Sequence, residues 1–265
     1  RFRTRVCILI TYVLLLKKKH SNWNGNFTKT TAGSFSTVPL STAHLVKYLN
    51  SLLAVPLQTF LSDVLVLVRG GGDLGTGVAH RLHRAGFTVM VAEIAQPLAV
   101  RRAVSFAEAV YAERVTVEGV SAHLAPDPMV GIAYAAIGEV PVVIDDDNTV
   151  LARLRPPIVV DARMAKTNLG TRLTDAPLVI GLGPGFGAGL DCQAVIETNR
   201  GHNLGRVYWE GSAEPDTGPP EAVSGFTGSR VLRAPRGGVF TGRKQIGGVV
   251  KKGAVLAVVD GRPIK

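Results

Sequence analysis

Glycines with the spacing of a phosphate-binding turn follow an apolar run of the sequence. Val64–Val68 is wholly aliphatic, and Gly70, Gly72 and Gly75 come next in G-x-G-x-x-G order. Such glycines let the chain turn tightly and approach a pyrophosphate, while the N terminus of the following helix offers N–H groups and a positive dipole end. The spacing predicts an anion site. The alternative is that the glycines only allow a strand and a helix to pack closely.

The residues after the turn complete a dinucleotide-binding pattern. Apolar residues recur at helical spacing from Leu74 to Leu82, and a second apolar run ends at Glu93, 21 residues after Gly72. A carboxylate at that point can accept hydrogen bonds from ribose hydroxyls. We therefore predict a Rossmann-like unit, an α/β fold with a doubly wound parallel sheet, and count Asp73 at the start of the helix among its binding residues.

The positive charge of the chain is confined to its first part. The net charge is +10, but residues 1–62 hold eight Lys or Arg and no acid, which leaves 22 basic against 20 acidic residues in the rest. A basic tail on a nearly neutral globular part is poor evidence for a nucleic-acid partner, and we expect none. Two cysteines cannot form a disulfide framework, so the expected location is the cytoplasm.

Residues 1–62 read as a basic tail that is disordered or not native to the fold. The apolar run Val6–Leu16 has 11 residues, whereas a membrane-spanning helix needs about 20. We therefore predict no stable membrane span. Attachment to a membrane surface is the alternative reading of this segment.

Beyond the first unit, further elements of an α/β domain are predicted. Helices are expected over Leu98–Tyr111 and from Pro128 to Ile137, and a strand over Val140–Ile144. Arg101 and Arg102, early in the first of these helices, could reach the 2′-phosphate of NADP. The alternative is that both arginines lie on a solvated helix face.

Polar side chains follow another apolar run, Ile158–Val160, which we predict to be a parallel strand. Ligands of open α/β sheets bind beyond the carboxyl ends of strands. We therefore expect four of these side chains to line the site: Asp161, Arg163, Lys166 and Asn168. Arg163 and Lys166 are three residues apart, so they could share a helical face and present two positive charges to an anion. The alternative is a salt-bridged connection.

A second glycine-rich segment comes after the next predicted strand. Five glycines alternate with other residues from Gly181 to Gly189, and such a loop can align its N–H groups as an anion nest. We predict that Gly183, Gly185 and Gly187 contribute to binding. Cys192 follows; at the start of a helix its thiol pKa would be lowered, and the alternative is a small buried residue.

A dense polar segment near this loop supplies the last candidates. Four of its side chains could form a polar site beside the glycines: Glu197, Asn199, Arg200 and His202. Because His202 has no second His or Cys at ligand spacing, we predict no metal site. If the protein were an oxidoreductase, His202 with Glu197 or Lys166 would be the candidate acid and base.

Five long motifs resemble one family, the YqeB-type accessory proteins of selenium-dependent molybdenum hydroxylase systems. They are VRGGGDLGTGVAHRLHRAGF, EIAQPLAVRRAVSFAEAVY, VDARMAKTNLGTR, VIGLGPGFGAGLDCQAVIETNRGHNLGRV and WEGSAEPDTG, and the resemblance covers residues 64–265. It implies a bacterial cytoplasmic factor that helps to mature a molybdenum hydroxylase. The family is itself similar to the Rossmann domain of XdhC/CoxI-type sulfurating chaperones. No catalytic residue carries over, and a role of Cys192 with sulfur or selenium is a hypothesis.

The composition changes again near the C terminus. We divide the chain into the tail, a Rossmann-like domain over 63–209, a linker over 210–229 and a small β module over 230–265. The module resembles half of a lipoyl/biotinyl barrel-sandwich and is expected to be cut short at Lys265. Its hairpin tip carries no lysine, so a carrier role is not expected.

Three functions are compatible with this reading. The first is an accessory factor that binds NAD(P) or the dinucleotide form of the molybdenum cofactor through its glycine loops, with a selenium-dependent molybdenum hydroxylase as partner. The second is an NAD(P)-dependent oxidoreductase acting on a small substrate. The third is a non-catalytic nucleotide-binding scaffold. A monomer and a homodimer fit the sequence equally.

Overall fold

A computed structural model describes residues 61–216 and 232–265 of the chain. The chain divides into two compact units, the first ending at Pro215 and the second beginning at Asp216. The predictions for residues 1–60, for residues 217–229 of the expected linker and for residues 230–231 of the expected β module lie outside the described residues.

A sheet of nine strands organises the first unit. Its spatial order is β10-β9-β7-β6-β1-β2-β5-β4-β3. The strands of this unit are β1 Leu65–Arg69, β2 Thr88–Glu93, β3 Arg114–Val117, β4 Val120–Ala125, β5 Val140–Ile144, β6 Ile158–Asp161, β7 Leu178–Leu182, β8 Gly187–Ala188, β9 Ala194–Ile196, β10 Val207–Tyr208 and β11 Gly211–Ser212. Within the predicted linker, β11 pairs with β8 as a separate two-stranded sheet.

Seven neighbouring strands, from β4 to β9 across the sheet, are parallel, and an antiparallel strand closes each edge. The chain places β2 and β5 on one side of β1 and then returns to place β6 and β7 on the other. The reversal between β1 and β6 is the topological switch point at which such sheets bind ligands. The predicted Rossmann-like α/β fold is confirmed.

Aliphatic residues fill both faces of the sheet. Val66 and Val68 belong to a core cluster on one face, and Leu67, between them, belongs to the cluster on the other face. All three are fully buried. Strands covered on both faces need continuous apolar runs, which explains why β1 shows no polar alternation.

Among the described residues of this unit, the helices are short and lie on both faces of the sheet. They are α1 Asp73–Arg84, α2 Ala109–Ala112, α3 Pro128–Ala136 and α4 Thr149–Leu154, with 3₁₀ turns at Arg102–Val104 and Phe106–Glu108. The expected helix from Pro128 is confirmed, and Asp127 caps it by accepting from Met129 N at 2.7 Å. In α1, Val78 and Leu82 are buried, but Leu74 is 40% exposed.

The predicted helix over Leu98–Tyr111 is wrong. An irregular segment and two 3₁₀ turns precede the four-residue α2. The Phe106 N–H donates to Thr76 Oγ1 at 2.8 Å, and Ala107 N–H donates to the Gly71 carbonyl at 2.9 Å. These long-range bonds take the donors that a continuous helix would direct at carbonyls four residues earlier.

The second unit contains a three-stranded antiparallel sheet among its described residues, formed by β12 Phe240–Gly242, β13 Ala257–Val259 and β14 Arg262–Ile264. This small sheet leaves the expected half-barrel unconfirmed. Within 61–216 and 232–265, no helix is long and apolar enough to cross a membrane.

The contact between α1 and the glycine turn admits no side chain at Gly75. A Cβ there would lie 2.0 Å from the Gly70 carbonyl oxygen, whereas a Cβ at Gly72 would meet nothing within 4 Å. We expect Gly75→Ala to reduce the free energy of unfolding by about 3 kcal/mol. The matched change Gly72→Ala should alter it by less than about 1 kcal/mol. Urea unfolding of both variants measures the difference, and equal stabilities would contradict this packing.

Candidate functional site

A cavity of about 730 Å³ opens at the switch point, beyond the carboxyl ends of β1, β2, β5 and β6. Its walls come from the glycine turn, the start of α1 and the loops after these strands. The lining residues are Arg69, Gly70, Gly72, Asp73, Leu74, Ala92, Glu93, Ile94, Leu98, Ala99, Val100, Arg101, Asp145, Asp146, Asn148, Ala162, Arg163, Met164 and Leu169.

The glycine turn faces this cavity. Gly72 is the N-cap of α1 and lines the cavity, and the space beside its Cα is open. Gly70 has φ +92°, and a Cβ there would lie 2.8 Å from the backbone of Arg163. The first glycine therefore permits close backbone packing, while the second leaves room for a ligand at the helix N terminus.

Glu93 is fixed at the wall of the same cavity. Its Oε1 accepts from the Gly71 N–H at 2.7 Å, and its Oε2 accepts from the Ile94 N–H at 2.9 Å. These bonds hold the carboxylate beside the turn, and each oxygen keeps a second lone pair. The glycine turn and Glu93, which the sequence pattern predicted to lie together, therefore line the same cavity.

Both arginines considered for a 2′-phosphate have acidic partners. Arg101 donates to Asp73 at 3.0 Å, and Arg102 makes two hydrogen bonds to Glu108, the longer of 2.7 Å. The Arg102 guanidinium also lies 4.9 Å from the centre of the Tyr111 ring. Arg101 lines the cavity.

A buried arginine closes the switch-point end of the cavity. Arg69, the last residue of β1, is 5% exposed and donates to Thr171 Oγ1 at 2.9 Å and to Asn148 Oδ1. Asp175 lies 3.7 Å away. Burial, followed by the positive charge of Arg163, lowers the pKa of Arg69.

The carboxylate of Asp161 balances these charges. It is 1% exposed and accepts from Arg163 Nη2 at 2.6 Å and from Thr171 Oγ1 at 2.5 Å. Burial alone would raise the pKa of Asp161, but the hydrogen bonds from Arg163 and Thr171 outweigh it and the net shift is downward. Together with Arg69, this group joins the loops after β5 and β6 through one hydrogen-bond network.

The predicted helical face shared by Arg163 and Lys166 is wrong. The segment after β6 contains no helix, and Met164 and Lys166 have positive φ values of 54° and 64°. Arg163 folds back onto Asp161, as the salt-bridged alternative expected. Lys166 and Asn168 do not line the cavity.

Asn168 stabilises this connection from within. Its side chain accepts from Thr171 N at 2.7 Å and donates to the Thr171 carbonyl at 2.8 Å and to Asp191 at 2.9 Å. The amide thus bridges two loops, and its predicted role toward a ligand stays a prediction.

The second glycine loop packs against protein. A Cβ at Gly183 would lie 2.5 Å from Thr198 Oγ1, and one at Gly185 would lie 2.8 Å from the backbone of Thr167. The Gly187 N–H donates to Asp191 at 2.8 Å. These three glycines do not line the cavity, and their contribution to binding stays a prediction.

Cys192 is a buried thiol. It is fully buried, forms an isolated bridge to Ala188, and begins no helix. Its carbonyl accepts from the Gly189 N–H at 2.8 Å. Burial raises the pKa of the Cys192 thiol to about 11. The expectation of a helix-lowered pKa is wrong, and the alternative of a small buried residue is confirmed.

The polar segment after β9 is organised by Glu197. Its buried carboxylate accepts from the N–H groups of Thr198, Asn199 and Glu214 at 2.7–2.8 Å. The Asn199 amide in turn donates to Glu214 at 2.6 Å. Neither Asn199, Arg200 nor His202 lines the cavity.

Sequence reasoning missed several cavity residues. Arg69 is the first charged residue after the apolar run of β1, and its position at the end of a buried strand was an available signal. Asn148, in contrast, reaches Arg69 across 79 positions of sequence, and spacing carries no sign of that contact.

The sheet and its cavity define a Rossmann-like α/β protein with a cavity at the switch point. Over 201 residues the chain is 47% identical to an uncharacterized protein named YqeB from Escherichia coli (strain K12). The match covers 76% of this chain but 37% of that protein, so the chain spans little more than a third of this relative's length. It supports the YqeB-type resemblance of the sequence. No protein-family profile matches the chain.

Two solved structures are distantly similar. One, TcdA (CsdL), is 18% identical, with 59% of this chain and 63% of that chain covered and a TM-score of 0.29. The other is the E. coli tRNA N6-threonylcarbamoyladenosine dehydratase TcdA in complex with AMP, which is 16% identical, with 58% and 65% covered and a TM-score of 0.27. Scores this low carry no argument about function.

The burial of Cys192 predicts an unreactive thiol. We expect iodoacetamide at pH 8 to leave Cys192 unmodified in the folded protein and to modify it in urea, because the thiolate is the reactive form. Peptide mass spectrometry reads Cys192 separately from Cys7. Rapid modification without urea would contradict the buried position.

The Asp161 network predicts a pH-dependent stability. Because the folded-state pKa of Asp161 is lowered, its contribution is complete above the unfolded value of about 3.9 and is lost as the pH falls through the folded value. We expect Asp161→Asn to cost about 3 kcal/mol at pH 7. The difference from the wild type should shrink below about pH 4. A pH-independent difference in urea unfolding would contradict this.

Proposed function

We propose that the switch-point cavity binds a dinucleotide without a 2′-phosphate, and that the protein is an accessory factor in the maturation of a selenium-dependent molybdenum hydroxylase. One observation carries the binding proposal: Gly72, the N terminus of α1 and Glu93 line the same cavity. A pyrophosphate at the helix N terminus and a ribose at the carboxylate are the ligand groups that this arrangement suits.

The charges of the cavity favour an unmodified ribose. Three further carboxylates, those of Asp73, Asp145 and Asp146, line the cavity with Glu93. The three arginines that line the cavity all have partners within the protein. Arg101 is paired with Asp73 at 3.0 Å, and Arg163 with Asp161 at 2.6 Å. Arg69 donates to Thr171 and Asn148. A 2′-phosphate beside Glu93 would bring two negative groups together, so NADP is the least favoured of the candidate ligands.

The cavity lining does not include the acid and base residues that were the candidates for an oxidoreductase. Among the residues that the structure describes, the cavity is lined by no His, Lys, Tyr, Ser, Thr or Cys. The acid and base candidates lie elsewhere: Glu197 accepts three backbone N–H groups, and His202 and Lys166 do not line the cavity. A site that binds and hands over a cofactor needs no such group.

The accessory role draws on the resemblance of the sequence. The motifs of YqeB-type proteins, the 47% identity to a protein of that name and a nucleotide-type cavity together support it. The dinucleotide form of the molybdenum cofactor carries a pyrophosphate, as NAD does, so either would present the group that the glycine turn suits.

Calorimetric titration of the full chain with NAD, NADP and the cytidine dinucleotide form of the molybdenum cofactor tests the binding proposal. We expect NAD or the cofactor to bind, and NADP to bind at least about tenfold more weakly because of the carboxylates. Gly72→Ala should weaken binding by at least about tenfold, because its methyl group would occupy the open space at the helix N terminus.

Gly201→Ala is the matched control for that variant. A Cβ at Gly201 also meets nothing within 4 Å, but Gly201 does not line the cavity. The Gly201→Ala variant should therefore bind the dinucleotide with the affinity of the wild type. Equal loss in both variants, or no binding by the wild type, would contradict the proposed site.

The accessory role has its own test. We expect the tagged protein to co-purify with a molybdenum hydroxylase from a lysate that contains one, and to show no oxidation of NADH with small carbonyl substrates. Steady turnover of NADH, without the hydroxylase, would favour the oxidoreductase instead. Nucleotide binding without co-purification of the hydroxylase and without NADH turnover would favour the third function, a non-catalytic nucleotide-binding scaffold.

A further inference from the structure

The segment after β2 carries apolar side chains that solvent almost fully surrounds. We call residues 94–101 the strap. Leu98 is 88% exposed and Val100 is 93% exposed, although both line the cavity. Ile94, 45% exposed, lines it as well. One wall of the cavity is therefore an apolar surface that the described part of the protein leaves uncovered.

Polar contacts, and not packing of these side chains, hold the strap. The Ala95 N–H donates to Asp146 Oδ1 at 3.0 Å. The Tyr111 hydroxyl donates to the Pro97 carbonyl at 2.9 Å. These two bonds attach Ala95 to the loop after β5 and Pro97 to α2. Leu98 lies between these attachments and Arg101, the far end of the strap.

The far end of the strap meets the helix that follows the glycine turn. Arg101 pairs with Asp73, the first residue of α1, at 3.0 Å. Just beyond it, Phe106 and Ala107 bond to Thr76 and to the glycine turn. A ligand at the turn thus lies next to both ends of the strap, since Glu93 directly precedes Ile94.

The chemistry of a nucleotide decides what covers this surface. In a ribose whose 2′-hydroxyl bonds to Glu93, the base is attached at the adjacent carbon, and it therefore lies beside the residues that follow Glu93. Those residues are the strap. A flat heteroaromatic base has apolar faces that pack on aliphatic side chains, and being uncharged it is compatible with the carboxylates of the same cavity.

We infer that the strap is the binding surface for the heteroaromatic base of the nucleotide, and that Leu98 and Val100 close over that base when it is bound. This inference rests on the proposed dinucleotide site. It assigns to the strap a part of the ligand different from the pyrophosphate at Gly72 and the ribose at Glu93.

Two probes that differ only in the base test it. Calorimetry of the full chain compares ADP with ribose 5-diphosphate, which keeps the ribose and both phosphates. We expect Leu98→Ser and Val100→Ser each to weaken ADP binding by about tenfold, as loss of one buried aliphatic contact predicts. Neither change should affect ribose 5-diphosphate.

Leu190→Ser is the matched control. Leu190 is 81% exposed and does not line the cavity, so the same substitution there should leave both affinities unchanged. All three leucine or valine side chains are largely exposed, and the variants are therefore expected to fold as the wild type does.

Trypsin supplies an independent measurement, because Arg101 ends the strap and Arg102 directly follows it. We expect saturating ADP to slow cleavage after these arginines at least about fivefold, since closure of the strap suppresses the local opening that proteolysis requires. Saturating ribose 5-diphosphate should not slow it. Mass spectrometry separates these cleavages from others along the chain.

The outcomes separate this inference from the proposed site. Equal affinity for ADP and ribose 5-diphosphate, unchanged by Leu98→Ser, would keep the site and overturn the role of the strap. If neither probe binds, the site and the strap assignment are both wrong. Protection of Arg101 by a molybdenum hydroxylase but not by ADP would assign the apolar surface to a protein partner and overturn the inference.

Discussion

The contact of α1 with the end of β1 is the constraint on which the rest of the site depends. A Cβ at Gly75 would lie 2.0 Å from the carbonyl oxygen of Gly70, so the helix reaches this position only without a side chain there. The close approach brings the N terminus of α1 to the carboxyl edge of the sheet. Gly72, the N-cap of α1, then borders the cavity at the positive end of the helix dipole.

A second requirement is the placement of charge at the switch point. Arg69 and Asp161 end the adjacent strands β1 and β6, and both are almost fully buried. Alone, each charge would be costly to bury, but together with Arg163 and Thr171 they form a hydrogen-bonded network. The network joins the loop after β5, through Asn148, to the loop after β6, through Thr171. Fold and site therefore share these residues.

Local patterns in the sequence were sufficient to predict that the glycine turn, the start of α1 and Glu93 lie together. The glycine turn, α1 and Glu93 lie within 30 residues, and strand, turn and helix signals agree along that stretch. The rest of the site depends on contacts between distant residues. Arg69 reaches Thr171 across 102 positions, and the bond from Phe106 to Thr76 ends the helical pattern that the sequence suggested after Pro97.

The glycines from 181 to 189 show that one spacing is compatible with two kinds of loop, and their role in binding stays a prediction. The same pattern suits a loop that cradles a ligand and a loop that packs closely on protein. Gly183 and Gly185 lie against Thr198 and Thr167, so close packing explains them. Cys192 is similar: its neighbourhood to the loop suggested a reactive thiol, but burial in the core governs its pKa.

The central claim is that the ligand binds at the glycine turn and not at the second glycine loop. Backbone amide NMR of the full chain during titration with NAD tests it most directly. We predict saturable shifts of the Gly72 and Leu74 amides, at the N terminus of α1, and unchanged Gly185 and Gly187 amides. Shifts confined to the second loop would contradict the account.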